Sequence, residues 1–156
     1  MIPLPQLGSN FVSNRNINDG IGVQWYINDD KNIIGEVTLS DRQEGPPLHA
    51  HGGASAAMLD EAMGTAAWNA GHMVVAVDLH VTYKHPVPLG QKVQIHGFVD
   101  HKEGRKIFTA GEILLEDGTI AATSTGVFVE APEMFEQYAE QYQRLLNQKQ
   151  GEGNNK

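Results

Sequence analysis

The sequence predicts an α+β fold in which an antiparallel sheet wraps one buried central helix. Three observations carry this. Two strand-like segments precede a single long apolar helix, and four follow it. The later strands are joined by short turns, Asp117-Gly118 among them, and hairpins of this kind make antiparallel neighbours. Residues 53–68 carry two acids and no basic residue, and a helix apolar on nearly all sides is a buried one.

The elements follow in order. Residues 1–22 mix Pro, Asn, Gly and Ser without periodicity and read as a loop. GVQWYIND (22–29) and IIGEVTLS (33–40) are rich in strand formers and flank a turn at Asp29-Asp30-Lys31-Asn32, which predicts a hairpin. DRQEGPPLHA (41–50) is a breaker-rich connection. Residues 53–70 lack proline and are rich in Ala and Met, so they read as the helix. HMVVAVDLHVTY (72–83) is a strand with Val75, Val77, Leu79, Val81 and Tyr83 on one face and Asp78, His80 and Thr82 on the other. QKVQIHGFVDH (91–101) alternates again, KEGR turns, and residues 106–130 give two more strands. APEMFEQYAEQYQRLLNQ (131–148) has Pro132 near its start and helical spacing of Met134, Phe135, Tyr138, Tyr142, Leu145 and Leu146, a C-terminal helix. One domain over 1–147 and a disordered tail over 148–156 are expected from the 156-residue length and the polar end.

Composition narrows the function. Apolar content of 40% and charged content of 19% suit a globular chain. The absence of cysteine excludes disulfides, a thiolate nucleophile and a Cys-ligated zinc. The start MIPLPQLGSN lacks the basic and apolar regions of a secretory signal, and no apolar run reaches the ~20 residues of a membrane span. A cytoplasmic protein, without membrane partners, is the expectation. A formal net charge of −8 argues against nucleic acid. A small anionic ligand would need only a local basic patch.

The stretch HAHGGASAAMLDEAMGTAAW (49–68) concentrates the chemistry. Asp60 has Ala56, Ala57, Met63 and Gly64 as its helical neighbours, and none can neutralise it. An unpaired buried carboxylate is costly and persists where a function keeps it or a distant partner satisfies it. Both readings stay open for Asp60, and Glu61 poses the same question. His51-Gly52-Gly53 precedes the helix, so backbone N–H groups there sit at the positive end of its dipole, where an oxyanion would be stabilised. His49 and His51 could share a metal, but no third ligand beyond Asp60 is evident, and hydrogen-bonding roles fit them better. His80 and His96 read as sheet-surface residues.

GPPLHAHGGASAAMLDEAMG, VDLHVTYKHPVPLG and GRKIFTAGEILLEDGTIAATSTGVFV together resemble the hotdog-fold acyl-CoA thioesterases (4-hydroxybenzoyl-CoA thioesterase superfamily), in the phenylacetyl-CoA-type and mitochondrial long-chain branch. The resemblance spans roughly residues 40–130. It implies a curved sheet, a homodimer or homotetramer joined through sheet edges and an acyl-CoA substrate. It implies Asp60 as general base or nucleophile, with the Gly52 or Gly53 N–H as oxyanion donor beside His51. Asp60 of one chain would face the glycines of the other. The family often has a hydroxyl on the following strand, where Ala76 stands here. Thr65 is a candidate substitute. No metal or organic cofactor is implied, and no G-x-S-x-G elbow indicates a serine triad. The phosphates of CoA would need the two densest basic sites, Lys84-His85 next to Tyr83 and the turn with Lys102, Arg105 and Lys106. Two alternatives share the fold. One is an acyl-CoA-binding protein without turnover. The other is a dehydratase or hydratase pairing His51 with Asp60 or Glu61.

Overall fold

The computed structural model describes residues 1–5, 10–16, 18–141 and 144. Seven strands form one sheet in the order β1-β2-β3-β5-β6-β7-β4. They are β1 (Ile2–Pro3), β2 (Gln24–Ile27), β3 (Ile33–Thr38), β4 (Val74–Tyr83), β5 (Lys92–Glu103), β6 (Lys106–Leu114) and β7 (Ile120–Glu130). Every pairing is antiparallel. The long helix α1 (Gly52–Asn69) packs across them, and a short α2 (Pro132–Gln137) follows the sheet. The expected α+β layering is therefore present. Among the described residues no helix is long and apolar enough to cross a membrane.

The core lies between α1 and the inward faces of the strands. Ser55, Met58, Leu59, Ala62, Met63, Ala66 and Ala67 are buried, a stripe at the three- and four-residue spacing of one helix side. They meet Ile33, Ile95, Ile107 and Ile113, all with no exposed surface. Strict alternation in β6 sends Ile107, Thr109, Gly111 and Ile113 inward. Each such aliphatic side chain contributes roughly 1.5–3 kcal/mol on burial.

Close approach of α1 to the sheet depends on Gly97 in β5. A Cβ there would collide with the carbonyl group of Ala62. Backbone cannot yield as a side chain tip can, so Gly97→Ala should lower stability by about 1–3 kcal/mol or more. A urea melt of the variant checks this, and an unchanged midpoint would refute the contact.

Several expectations are corrected. The N-terminal loop contains β1, which pairs with β2 at Ile2↔Ile27. Helix α1 is buried on one side only. The opposite side, with Ala54, Ala57, Asp60, Glu61 and Gly64, is half-buried, because this sheet covers a single face. In β4 the register shifts between Ala76 and Asp78, so the simple alternation breaks. Leu79, Val81 and Tyr83 share the helix side with Ala76, while Val75 moves to the outer side with Asp78, His80 and Thr82. Helix α2 spans Pro132–Gln137 with Tyr138 as its C-cap, and Phe135 packs edge-on against Trp68 at 4.8 Å. Tyr142, Leu145, Leu146 and the tail expected to be disordered lie outside the described residues.

Among the described residues strand β4 ends the sheet and pairs only with β7. Its ten residues leave one edge open, with Val77, Leu79 and Tyr83 exposed at 60%, 38% and 54%. A long apolar edge of this kind favours pairing with another chain.

Candidate active site

The loop before α1 is held by main-chain bonds. The Ala50 N–H donates to the Val87 carbonyl at 2.8 Å, and the His51 N–H to the Gln43 carbonyl at 2.6 Å. These fix His51 in an extended conformation as the N-cap of α1, with Nδ1 accepting from the Gly53 N–H at 2.8 Å. A capping side chain of this kind satisfies one of the orphan donors of the first turn. The Gly53 N–H is thus engaged. The Gly52 N–H meets no acceptor among the described residues, which leaves it as the free donor of the pair. Tyr83 braces the next peptide from β4, its hydroxyl donating to the Gly52 carbonyl at 2.5 Å.

Two cavities flank these glycines. One, of 280 Å³, is lined by Gly52, Ser55, Tyr83, Lys84, His85 and His49 among others. The structure therefore brings together four residues the sequence assigned to binding and chemistry. The other, of 530 Å³, includes His51, Gly53, Ala54 and Ala57 with Phe11, Ile21 and Arg42. Arg42 and the N-terminal residues were not singled out from sequence, because a lone cation and scattered apolar residues in a loop have no periodicity to mark them.

Asp60 stands eight residues beyond Gly52 on the same helix, about 12 Å along the axis at 1.5 Å per residue. Its carboxylate has no hydrogen-bond partner among the described residues. Burial holds its pKa above the ordinary 3.8. The neighbouring Glu61 is also raised, chiefly by burial, with Asn10 opposing as a hydrogen-bond donor. No single carbonyl can touch both Gly52 and Asp60 of one chain. His51 and Asp60 are likewise more than two turns apart, so one chain does not form the His–acid pair of a dehydratase.

Other expected residues separate from this centre. Lys102 bonds Glu130 at 3.0 Å, and Arg105 donates to the Glu130 carbonyl at 2.7 Å. His72, just past the end of α1, reaches the same Glu130 carboxylate at 2.8 Å. Lys102 and Arg105 therefore sit by the far end of α1, an 18-residue helix about 27 Å long that begins at Gly52. Lys106 pairs with Val129 on that same end. Within one chain the two basic sites do not converge. Ala76 lies opposite Phe128 and offers no hydroxyl, and Thr65 is turned about 140° around α1 from Asp60. His49 Nδ1 lies 2.9 Å from the Pro47 carbonyl. His96 faces Glu112 across the outer sheet at 3.6 Å and His80 is exposed, as surface residues should be.

Known proteins resemble this chain in sequence and in fold. The thioesterase superfamily profile matches residues 49–122. Acyl-coenzyme A thioesterase THEM4 of Bos taurus is 33% identical over 119 residues, 74% of this chain and 49% of that protein. The Xenopus laevis THEM4 is 34% identical over 115 residues, 71% of this chain and 52% of the relative. The chain spans about half the length of the curated relatives it matches. A crystal structure of a thioesterase superfamily protein is 35% identical with a TM-score of 0.69, covering 70% of this chain and 57% of that one. The E. coli PaaI protein from the phenylacetic acid degradation operon gives a TM-score of 0.67 at 18% identity, covering 71% and 80%. That likeness shows a shared fold alone and does not support the phenylacetyl-CoA-type placement. The likeness to the thioesterase superfamily thus covers residues 49–122, and the chain shares the hotdog fold of a thioesterase-superfamily structure.

Proposed function

We propose that this chain hydrolyses the thioester of an acyl-CoA to a free acid and CoA, at a site shared between two copies. One observation carries the reading. An unpaired half-buried acid, Asp60, shares α1 with the free Gly52 N–H, yet about 12 Å of helix separates them. Two copies related by a twofold axis would bring one chain's acid to the other's donor. The names of the THEM4 relatives support the substrate class.

The chemistry follows from the groups. Ionised Asp60 takes a proton from water, whose oxygen bonds to the thioester carbon. The developing oxyanion lies against the Gly52 N–H at the positive end of α1. The carbon–sulfur bond then breaks, and the proton held by Asp60 passes to the departing CoA thiolate. Direct attack by Asp60 would give an acyl anhydride that water later opens, with the same donor in use.

The open edge of β4 suits the association. An antiparallel twofold pairing of β4 with β4 sets the Tyr83 end of one strand beside the Val74 end of the other. Gly52, Lys84 and His85 lie near the first end, and Glu130, Lys102 and Arg105 near the second. The two basic sites divided within a chain would converge in the pair on one CoA.

A panel of acyl-CoAs with a thiol-detecting reagent tests the reaction. Thiol release with a panel member is expected. The absence of a hydroxyl at Ala76 favours, as a second reading, an acyl-CoA-binding protein without turnover. Saturable binding with no thiol release from any member would establish that instead.

A further inference from the structure

Glu61 has no part in the reaction above, yet it ties the N-terminal segment to the outer side of α1. Its carboxylate accepts from the Asn10 side-chain amide. The oxygen of that same amide accepts from the backbone N–H groups of Val12 at 2.8 Å and Ser13 at 3.3 Å. From this knot Val12 enters the core, and Ser13 Oγ accepts from the Trp25 indole at 3.1 Å. Phe11 points the other way and is 59% exposed, while its carbonyl takes the Ile21 N–H at 2.7 Å. Phe11 and Ile21 thereby line the 530 Å³ cavity together with Ala54 and Ala57. Helical neighbours offer Glu61 only Ala57, Met58, Gly64 and Thr65, so the Asn10 bond is what satisfies it on this side.

Gly52 lines the smaller cavity and Gly53 the larger, so a substrate at the Gly52 N–H would meet both. The smaller carries Lys84 and His85 and suits the anionic CoA arm. The larger is lined by apolar Phe11, Ile21, Ala54 and Ala57 and by polar Asn18, Asp19, Arg42, Gln43, Glu44 and His51, and its apolar side is left for the acyl group. We propose that Glu61 is a positioning residue: by holding Asn10 it sets Phe11 and Ile21 as the wall of the subsite that receives an apolar acyl chain. The proposal rests on the acyl-CoA reading.

The test uses the full chain with aliphatic acyl-CoAs from acetyl to tetradecanoyl. Glu61→Ala and Asn10→Ala should raise KM for the long chains about tenfold, with KM for acetyl-CoA and kcat for all members within about twofold of wild type. Glu61→Gln keeps an oxygen that can accept from Asn10 and should restore the wild-type pattern. Phe11→Ala should reproduce the long-chain defect. Hydrogen exchange at the Val12, Gly22 and Val23 amides should quicken in Glu61→Ala and Asn10→Ala but not in Glu61→Gln. A fall in kcat equal across chain lengths, in Glu61→Gln as in Glu61→Ala, would place Glu61 among the reacting groups and overturn the proposal. Unchanged exchange in Glu61→Ala would overturn it as well. A wild-type chain that cleaves no acyl-CoA would remove the reaction and this subsite together, while exchange would still report separately whether Glu61 holds the segment.

Discussion

Asp60→Asn should lower kcat by about 10²–10⁴ while raising the melting temperature at pH 8. The first effect follows from losing the only half-buried carboxylate that lacks a partner among the described residues. The second follows from linkage. Burial raises the folded-state pKa of Asp60 above its ordinary 3.8. Between those two values the folded chain binds more protons than the unfolded one, so stability falls as pH rises through that window. Above the window ionised Asp60 is a standing cost, which asparagine removes. The melting advantage of Asp60→Asn should therefore be full at pH 8 and shrink as pH falls toward 3.8. For the same reason the acid limb of kcat/KM in the wild type should lie above the ordinary carboxylate range. Calorimetry across pH, beside a thiol-release assay, reads all three. An active variant would remove the mechanism, and a destabilised one at pH 8 would remove the account of burial.

Mixing two inactive variants should restore hydrolysis if the site spans two chains. Asp60→Asn removes the acid. Gly52→Pro removes the donor with little else disturbed, because Gly52 is the first residue of α1 and His51 before it already has φ −61° and ψ 137°. Proline favours that helix position, and its predecessor must be extended, as His51 is. The added Cβ would lie 3.3 Å from the Tyr83 hydroxyl, which has to give slightly. Gly52→Ala carries the same crowding and keeps the N–H, so it serves as the control. Gly52→Pro alone should cost about 10²–10³ in kcat, and Gly52→Ala much less. In a mixed dimer one site holds both defects and the other holds neither. Random pairing makes half of the dimers mixed, so equal mixing of the two variants should recover roughly one quarter of wild-type activity. Recovery at the level of the separate variants would show that each chain works alone.

The layered fold and the centre of the site were legible from sequence because each leaves a local mark. The Asp117-Gly118 turn marks β6 and β7 as antiparallel neighbours. The absence of basic residues from 53–68 sets Asp60 and Glu61 apart at once. His51-Gly52-Gly53 announces the helix start, which lies one residue earlier than expected. What escaped has no local mark. The β4 bulge inserts one residue into an unbroken run of strand formers, so the pattern looks continuous while the faces exchange. Asn10 is one polar residue in a polar loop, and its bond to Glu61 joins positions 51 apart.

The sequence by itself determined the element order, the antiparallel class and the identity of Asp60 and Gly52 as the groups to ask about. These follow from periodicity, turn chemistry and charge within a few neighbouring residues. Only the tertiary structure decided how those groups are deployed. It showed that Gly53 is engaged by His51 and that α1 has one side not covered by its own sheet. It also placed Lys102 and Arg105 at the far end of α1 and gave Glu61 a partner in Asn10. The physical reason is that a helix fixes distances along its axis, whereas the face a residue meets is set by which strand or segment packs there.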